Sequence, residues 1–176
     1  MTEDLRYPVG KFQFPDSVSD ADLKRMIDEI ADTPSRLYEA ASILDGERLR
    51  TPYRPGGWTL EQVIHHLPDS HLNSYIRFKL AVTEDEPTIK AYDEAVWAEL
   101  PDAREGNVVA SLELLDALHS RWVFFLRCLG PVELARTFTH SELGSVSLAQ
   151  NIALYAWHGR HHVAHITSLC EREGWD

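Results

Sequence analysis

Apolar side chains return every three or four residues along four stretches of the chain, which is the spacing that gives a helix one buried face. The first opens at Ser19-Asp-Ala-Asp and carries Leu23, Met26, Ile27, Ile30, Leu37, Tyr38, Ala41 and Leu44; Pro34 is predicted to kink or split it near Thr33. The second follows a capping box, Thr59-Leu-Glu-Gln62, with Trp58 and Val63 as a hydrophobic staple. It runs to about Thr83 with Leu60, Val63, Ile64, Leu67, His71, Tyr75, Phe78 and Val82 in one stripe, and Pro68 interrupts it. A third fits Val108 to Leu129 and stops at Gly130-Pro131. The fourth opens at a second capping box, Ser147-Leu-Ala-Gln150, and ends at Gly174.

Residues 84–106, with Pro87 and Pro101 and with Tyr92 and Trp97 among acidic residues, read as a long crossover, and Arg136 to Val146 as a loop with a short extended piece. The pattern therefore predicts an all-α fold, a four-helix bundle with one long crossover connection. Residues 1–176 form a single domain in this reading, and residues 1–18, with Pro8, Gly10 and Pro15, lie over it as an extended arm.

Composition narrows the partners. With 28 acidic against 17 basic side chains the formal charge is −11, which repels nucleic-acid phosphates and anionic membrane surfaces. No run of apolar residues is long enough to span a membrane, and the N-terminus has no signal core, so a soluble, cytoplasmic protein acting on a small molecule is expected. Cys128 and Cys170 sit in apolar helical patterns and read as core thiols in a reducing compartment.

The chemistry is concentrated in histidine. Four of the nine histidines fall in Tyr155-Ala-Trp-His-Gly-Arg-His-His-Val-Ala-His-Ile166. His158 and His162 are one helical turn apart on the stripe of Tyr155, Ile166 and Leu169, so two imidazoles project side by side toward the bundle interior, as two ligands of one metal ion do. His161 and His165 repeat the spacing on the flank, and spacing alone does not choose between the pairs. The second helix offers His65, His66 and His71 as a third ligand; phase favours His71, in mid-stripe, while His66 lies on a flank with Asp69, Asn73 and Arg77. Those three could contact the site or form a solvated face. His119 and His140 have no evident partner and read as structural.

Three stretches carry a resemblance that covers nearly the whole chain: Thr51-Pro-Tyr-Arg-Pro-Gly-Gly-Trp-Thr59, His65-His-Leu-Pro-Asp-Ser-His-Leu-Asn-Ser-Tyr-Ile-Arg-Phe-Lys79, and the histidine-rich segment from Tyr155 to Ile166. With these the sequence resembles the DinB-like superfamily of bacterial four-helix proteins, most closely its YfiT/BstA-type branch of metal-dependent hydrolases or bacillithiol transferases. The resemblance implies one divalent metal ion per subunit, zinc or nickel first among candidates, held by His66, His158 and His162, and it implies a homodimer. The chain departs from the family at Pro68, where a small residue is usual. Three neutral imidazoles would leave the ion its double charge and open positions, suited to activating a bound water for hydrolysis or to capturing a thiolate for S-transfer. A metal-stabilised dimeric scaffold is the non-catalytic alternative. No general base is assigned.

Overall fold

The computed structural model describes residues 4–175. Four long helices carry the fold: α1 (Asp20–Ala41), α2 (Leu60–Thr83), α3 (Val108–Arg127) and α4 (Leu148–Glu173). Their starts are chemically marked. Ser19 accepts from the Asp22 amide, and both expected capping boxes close in both directions, Thr59 with Gln62 and Ser147 with Gln150. Each satisfies amide donors that the first turn leaves orphaned, typically worth about 1 kcal/mol. At the other end of α4, Gly174 takes the left-handed conformation with φ 65°, where its N–H reaches the Cys170 and Glu171 carbonyls.

Neither proline divides its helix: α1 runs through Pro34 and α2 through Pro68. Pro34 has no N–H to offer the carbonyl one turn back, at Ile30. That carbonyl instead faces His119 Nδ1 on α3 at 2.8 Å. α3 ends at Arg127, short of the expected Leu129, with Cys128 as its cap. The apolar register stops there, so Cys128 is exposed and only Cys170 is a buried thiol, which corrects the expectation that both are core residues.

The connections contain more structure than the sequence pattern shows. The crossover holds β1 (Thr88–Ile89) and single helical turns at Glu94–Trp97 and Pro101–Glu105. The segment before α4 is a hairpin of β2 (Thr137–His140) and β3 (Gly144–Ser147), with Phe138 opposite Val146; β1 joins β2 in parallel, Thr88 opposite Thr139. The arm runs along α4, where Gly10 accepts from Trp157 Nε1, Pro15 accepts from Gln150 Nε2, and the Arg6 carbonyl lies 3.2 Å from His165 Nε2. Residues 1–3 of the expected arm lie outside the described residues.

The core falls into two apolar clusters. One gathers Ile30, Phe78, Trp122, Phe138 and Ile152, the other Leu37, Leu60, Ile64, Leu67, Leu115 and Ile166. Between them each helix contributes polar or small residues at one level: Thr33 from α1, His66, Ser70 and His71 from α2, His119 from α3, and His158, Gly159 and His162 from α4. At this polar belt α1 and α4 pack closely through Thr33 and Gly159. A Cβ on Gly159 would stand 2.5 Å from Thr33 Oγ1 and 2.9 Å from its Cγ2. Gly159→Ala should therefore push the helices apart at the belt and cost about 1–3 kcal/mol. A urea-unfolding midpoint equal to that of the parent would refute this close-packing account.

Candidate metal centre

One ring nitrogen from each of His66, His158 and His162 lies within 4.8 Å of the others. α2 and α4 meet at the belt, and the one-turn spacing on α4 brings the rings of His158 and His162 to 4.4 Å between centroids. Across the gap, His66 Nε2 stands 3.3 Å from His158 Nε2. Trp58, just ahead of the α2 cap, closes one side, its ring 4.9 Å from that of His66 and stacked over His162 at 6.4 Å. The trio opens into a cavity of about 300 Å³, whose other walls include Ser70, Arg77, Tyr92, His140 and Tyr155, with Glu94 and Glu142 toward solvent.

Behind His158 runs a chain of imidazoles. His158 Nδ1 lies 3.0 Å from His71 Nε2, His71 Nδ1 lies 2.7 Å from His119 Nε2, and His119 Nδ1 lies 2.8 Å from the Ile30 carbonyl. A carbonyl only accepts, so His119 carries its proton on Nδ1 and presents a lone pair at Nε2. His71 then donates from Nδ1 and accepts at Nε2, and His158 donates from Nδ1. Its Nε2 is left with a lone pair aimed at His66. Anchored on a carbonyl that Pro34 frees, this chain crosses all four helices and fixes the ring of His158 in the tautomer a metal needs.

The rings are held neutral. Burial pushes His66 down to about 4, with repulsion from His165 adding to it. Burial first, and neighbouring histidines second, set His71, His158 and His162 well below the usual imidazole range. Burial likewise brings His119 to about 4, outweighing its bond to Ile30, which alone would raise it. Neutral imidazoles are competent ligands without any proton having to leave. No carboxylate belongs to the trio, and among the described residues the buried Nδ1 of His162 has no hydrogen-bond partner. Three imidazole nitrogens gathered within a few ångströms, with no carboxylate among them, fit a cation, so the donor set suits a divalent ion.

The other histidines sort by contact. His71 is fully buried with both ring nitrogens engaged by His119 and His158, so it supports the trio from behind. His119, expected to lack partners, has two, and His140 lines the cavity rather than packing anonymously. His65 turns away to Ser111 Oγ at 2.7 Å. His161 stacks on Trp157 at 4.3 Å and His165 on Tyr53 at 4.0 Å. Together with His162 they form a second close trio, but one drawn from a single helix and turned toward Arg6 and Arg54. Of the α2 flank residues, Asn73 bonds back to the Asp69 carbonyl, and only Arg77 reaches the cavity wall. Ser70, on the same flank of α2 as His66, and Tyr155, on the stripe of His158, also line the wall. Ser70 Oγ stands 3.4 Å from His158 Nε2, and the Tyr155 hydroxyl donates to the Ser70 carbonyl at 3.2 Å.

A family model described as the DinB superfamily matches residues 29–166. The chain belongs to the DinB superfamily. Within it, the chain is 55% identical over 173 residues to a Bacillus mycoides protein named "putative metal-dependent hydrolase", covering 98% of this chain and 99% of the relative. An Oceanobacillus iheyensis protein of the same description is 52% identical over 170 residues, covering 97% and 98%. The solved structure of YfiT from Bacillus subtilis, described as "a probable metal-dependent hydrolase with an unusual four-helix bundle topology", superposes with a TM-score of 0.95 at 43% identity, over 98% of this chain and 99% of that one. The DinB bundle seen here thus matches in topology as well as in sequence.

Proposed function

We propose that this DinB-superfamily chain is a metal-dependent hydrolase of small molecules, one domain over residues 1–176, with one divalent ion held by His66, His158 and His162. The observation that carries the reading is the convergence of three neutral, desolvated imidazoles at the head of a cavity open to solvent. A divalent ion bound there supplies Lewis acidity toward a carbonyl and a water of lowered pKa. The chain's own residues do the rest. The His71–His119 chain holds His158 in register, Trp58 shields His66 and His162 from water, and Glu94 and Glu142 are the wall carboxylates available to take a proton. Imidazole ligands favour zinc or nickel over hard cations. The unpaired Cys128 and Cys170 suit a reducing cytoplasm, and the exposed Trp97 and Phe124 supply apolar surface for a homodimer.

The test is metal content and activity together. Tag-free protein should hold about one divalent ion per chain, and His158→Ala with His162→Ala should lose it. Ester and amide hydrolysis should then follow metal occupancy and disappear with chelator. Full occupancy in the double variant would overturn the ligand set. Chelator-sensitive conjugation of a thiol to an electrophilic dye, without hydrolysis, would make the enzyme an S-transferase instead; metal binding without either activity would leave a scaffold.

A further inference from the structure

We infer that Arg77 forms an anion subsite in the histidine cavity and that the substrate carries a carboxylate which this guanidinium binds; the inference rests on the hydrolase reading above. Arg77 is only 6% exposed. Among the described residues, however, no carboxylate lies within ion-pair distance of it, since the arginines that do form ion pairs are Arg6, Arg25, Arg36, Arg104, Arg127 and Arg160. Nor, among the described residues, does a hydrogen-bond acceptor or aromatic face engage it, and its nitrogens meet only the cavity. An arginine cannot shed its charge, and burying an ion without a counter-charge is costly enough that buried charges are paired almost without exception. A guanidinium left unpaired on a cavity wall is thus a binding group awaiting an anion.

Its placement suits a substrate that reaches the trio. Arg77 follows His66 by eleven residues on α2, about 20° away in helical phase and about 16 Å along the axis. The Cα–Cβ bonds of a helix tilt toward its N-terminus, so the side chain of Arg77 leans back toward the histidines. Both line one cavity, and the charge of Arg77 is felt by His140 on the facing strand and by His158. A single fork with five donors matches a carboxylate bidentately. A phosphate dianion is disfavoured by Glu94 and Glu142 at the mouth and by the overall charge of −11.

Hydroxamates test this without relying on turnover, because one end binds a metal and the other can be varied. The metal-loaded protein would be titrated calorimetrically with a series of aliphatic hydroxamates of increasing length, ending in a carboxylate, the matching carboxamide, or a phosphonate. At the length that spans the cavity, the carboxylate is expected to bind about 10- to 100-fold tighter than the carboxamide, as a charge-assisted pair would give. Arg77→Met, which keeps most of the apolar stem, should abolish that preference while leaving metal content and carboxamide affinity unchanged, and Arg77→Lys should restore part of it. Equal binding of carboxylate and carboxamide at every length, or a preference that survives in Arg77→Met, overturns the subsite alone. A phosphonate bound more tightly than the carboxylate overturns the choice of anion. Failure of every hydroxamate to bind overturns the metal reading and the subsite with it.

Discussion

Taking the metal-free protein from pH 7 to pH 5 is expected to remove at least about 4 kcal/mol of its stability, a large share of what a domain of this size possesses. The effect comes from the belt. His66 and His119 titrate near 4 in the fold against 6.5 for a free imidazole, because burial disfavours their charged forms. Above pH 6.5 both states are neutral and nothing is lost. Between 6.5 and 4 the unfolded chain takes up protons that the folded chain refuses, so stability falls as pH falls, by about 1.4 kcal/mol per unit for each such group. His71, His158 and His162 shift in the same direction and add to the slope. Two carboxyls oppose them: burial, with Asp102 nearby, raises Asp69 to about 6, and burial raises Glu61 as well, so protonation of either favours the folded state. Two half-buried carboxyls are outweighed by several buried rings. Urea-unfolding midpoints measured with chelator at the two pH values check this, and equal midpoints would mean that the rings are not held neutral by the fold.

The helices and their caps were legible because each follows from local chemistry: Thr59 with Gln62, Ser147 with Gln150, and Gly174 mark ends that hold to within a residue. The pair on α4 was legible for the same reason, since a one-turn spacing is a local fact. Choosing between His66 and His71 was not local. Mid-stripe phase pointed to His71, and phase was right about burial, but a fully buried ring between α3 and α4 serves as a support, whereas a flank position between α2 and α4 opens on the cavity. The resemblance pointed to His66, and the geometry places it beside His158. Of the sheet, the short extended piece between Arg136 and Val146 was legible in the alternation of Thr137 to His140, while β1 was hidden because it is two residues long and finds its partner some 50 residues away. His119 and Pro34 were hidden for a related reason. A proline's missing N–H looks like a defect within its own helix, and only the neighbouring helix reveals that the freed carbonyl is used.

That use gives the second large effect. His119→Leu should weaken metal binding about tenfold, the lower end of what the loss of an outer partner of a metal ligand costs, although His119 stands two rings away from the proposed ion. Leucine fills much of the volume but offers neither donor nor acceptor. The Ile30 carbonyl and the His71 Nδ1 proton lose their partner, His71 is freed to exchange tautomers, and His158 no longer has its proton pinned to Nδ1. Every molecule in which that proton has moved to Nε2 is one that cannot bind through that nitrogen. His119→Gln should keep affinity within a few-fold, because an amide also offers both a donating and an accepting group. Pro34→Ala should fall between the two, since its restored N–H competes with His119 for the Ile30 carbonyl. Chelator competition reads the affinities, and nitrogen chemical shifts of His158 in the metal-free protein read the tautomer directly. A merely structural role for His119 predicts lower unfolding midpoints with affinity and tautomer unchanged, and that result would remove the histidine chain from the account of the site.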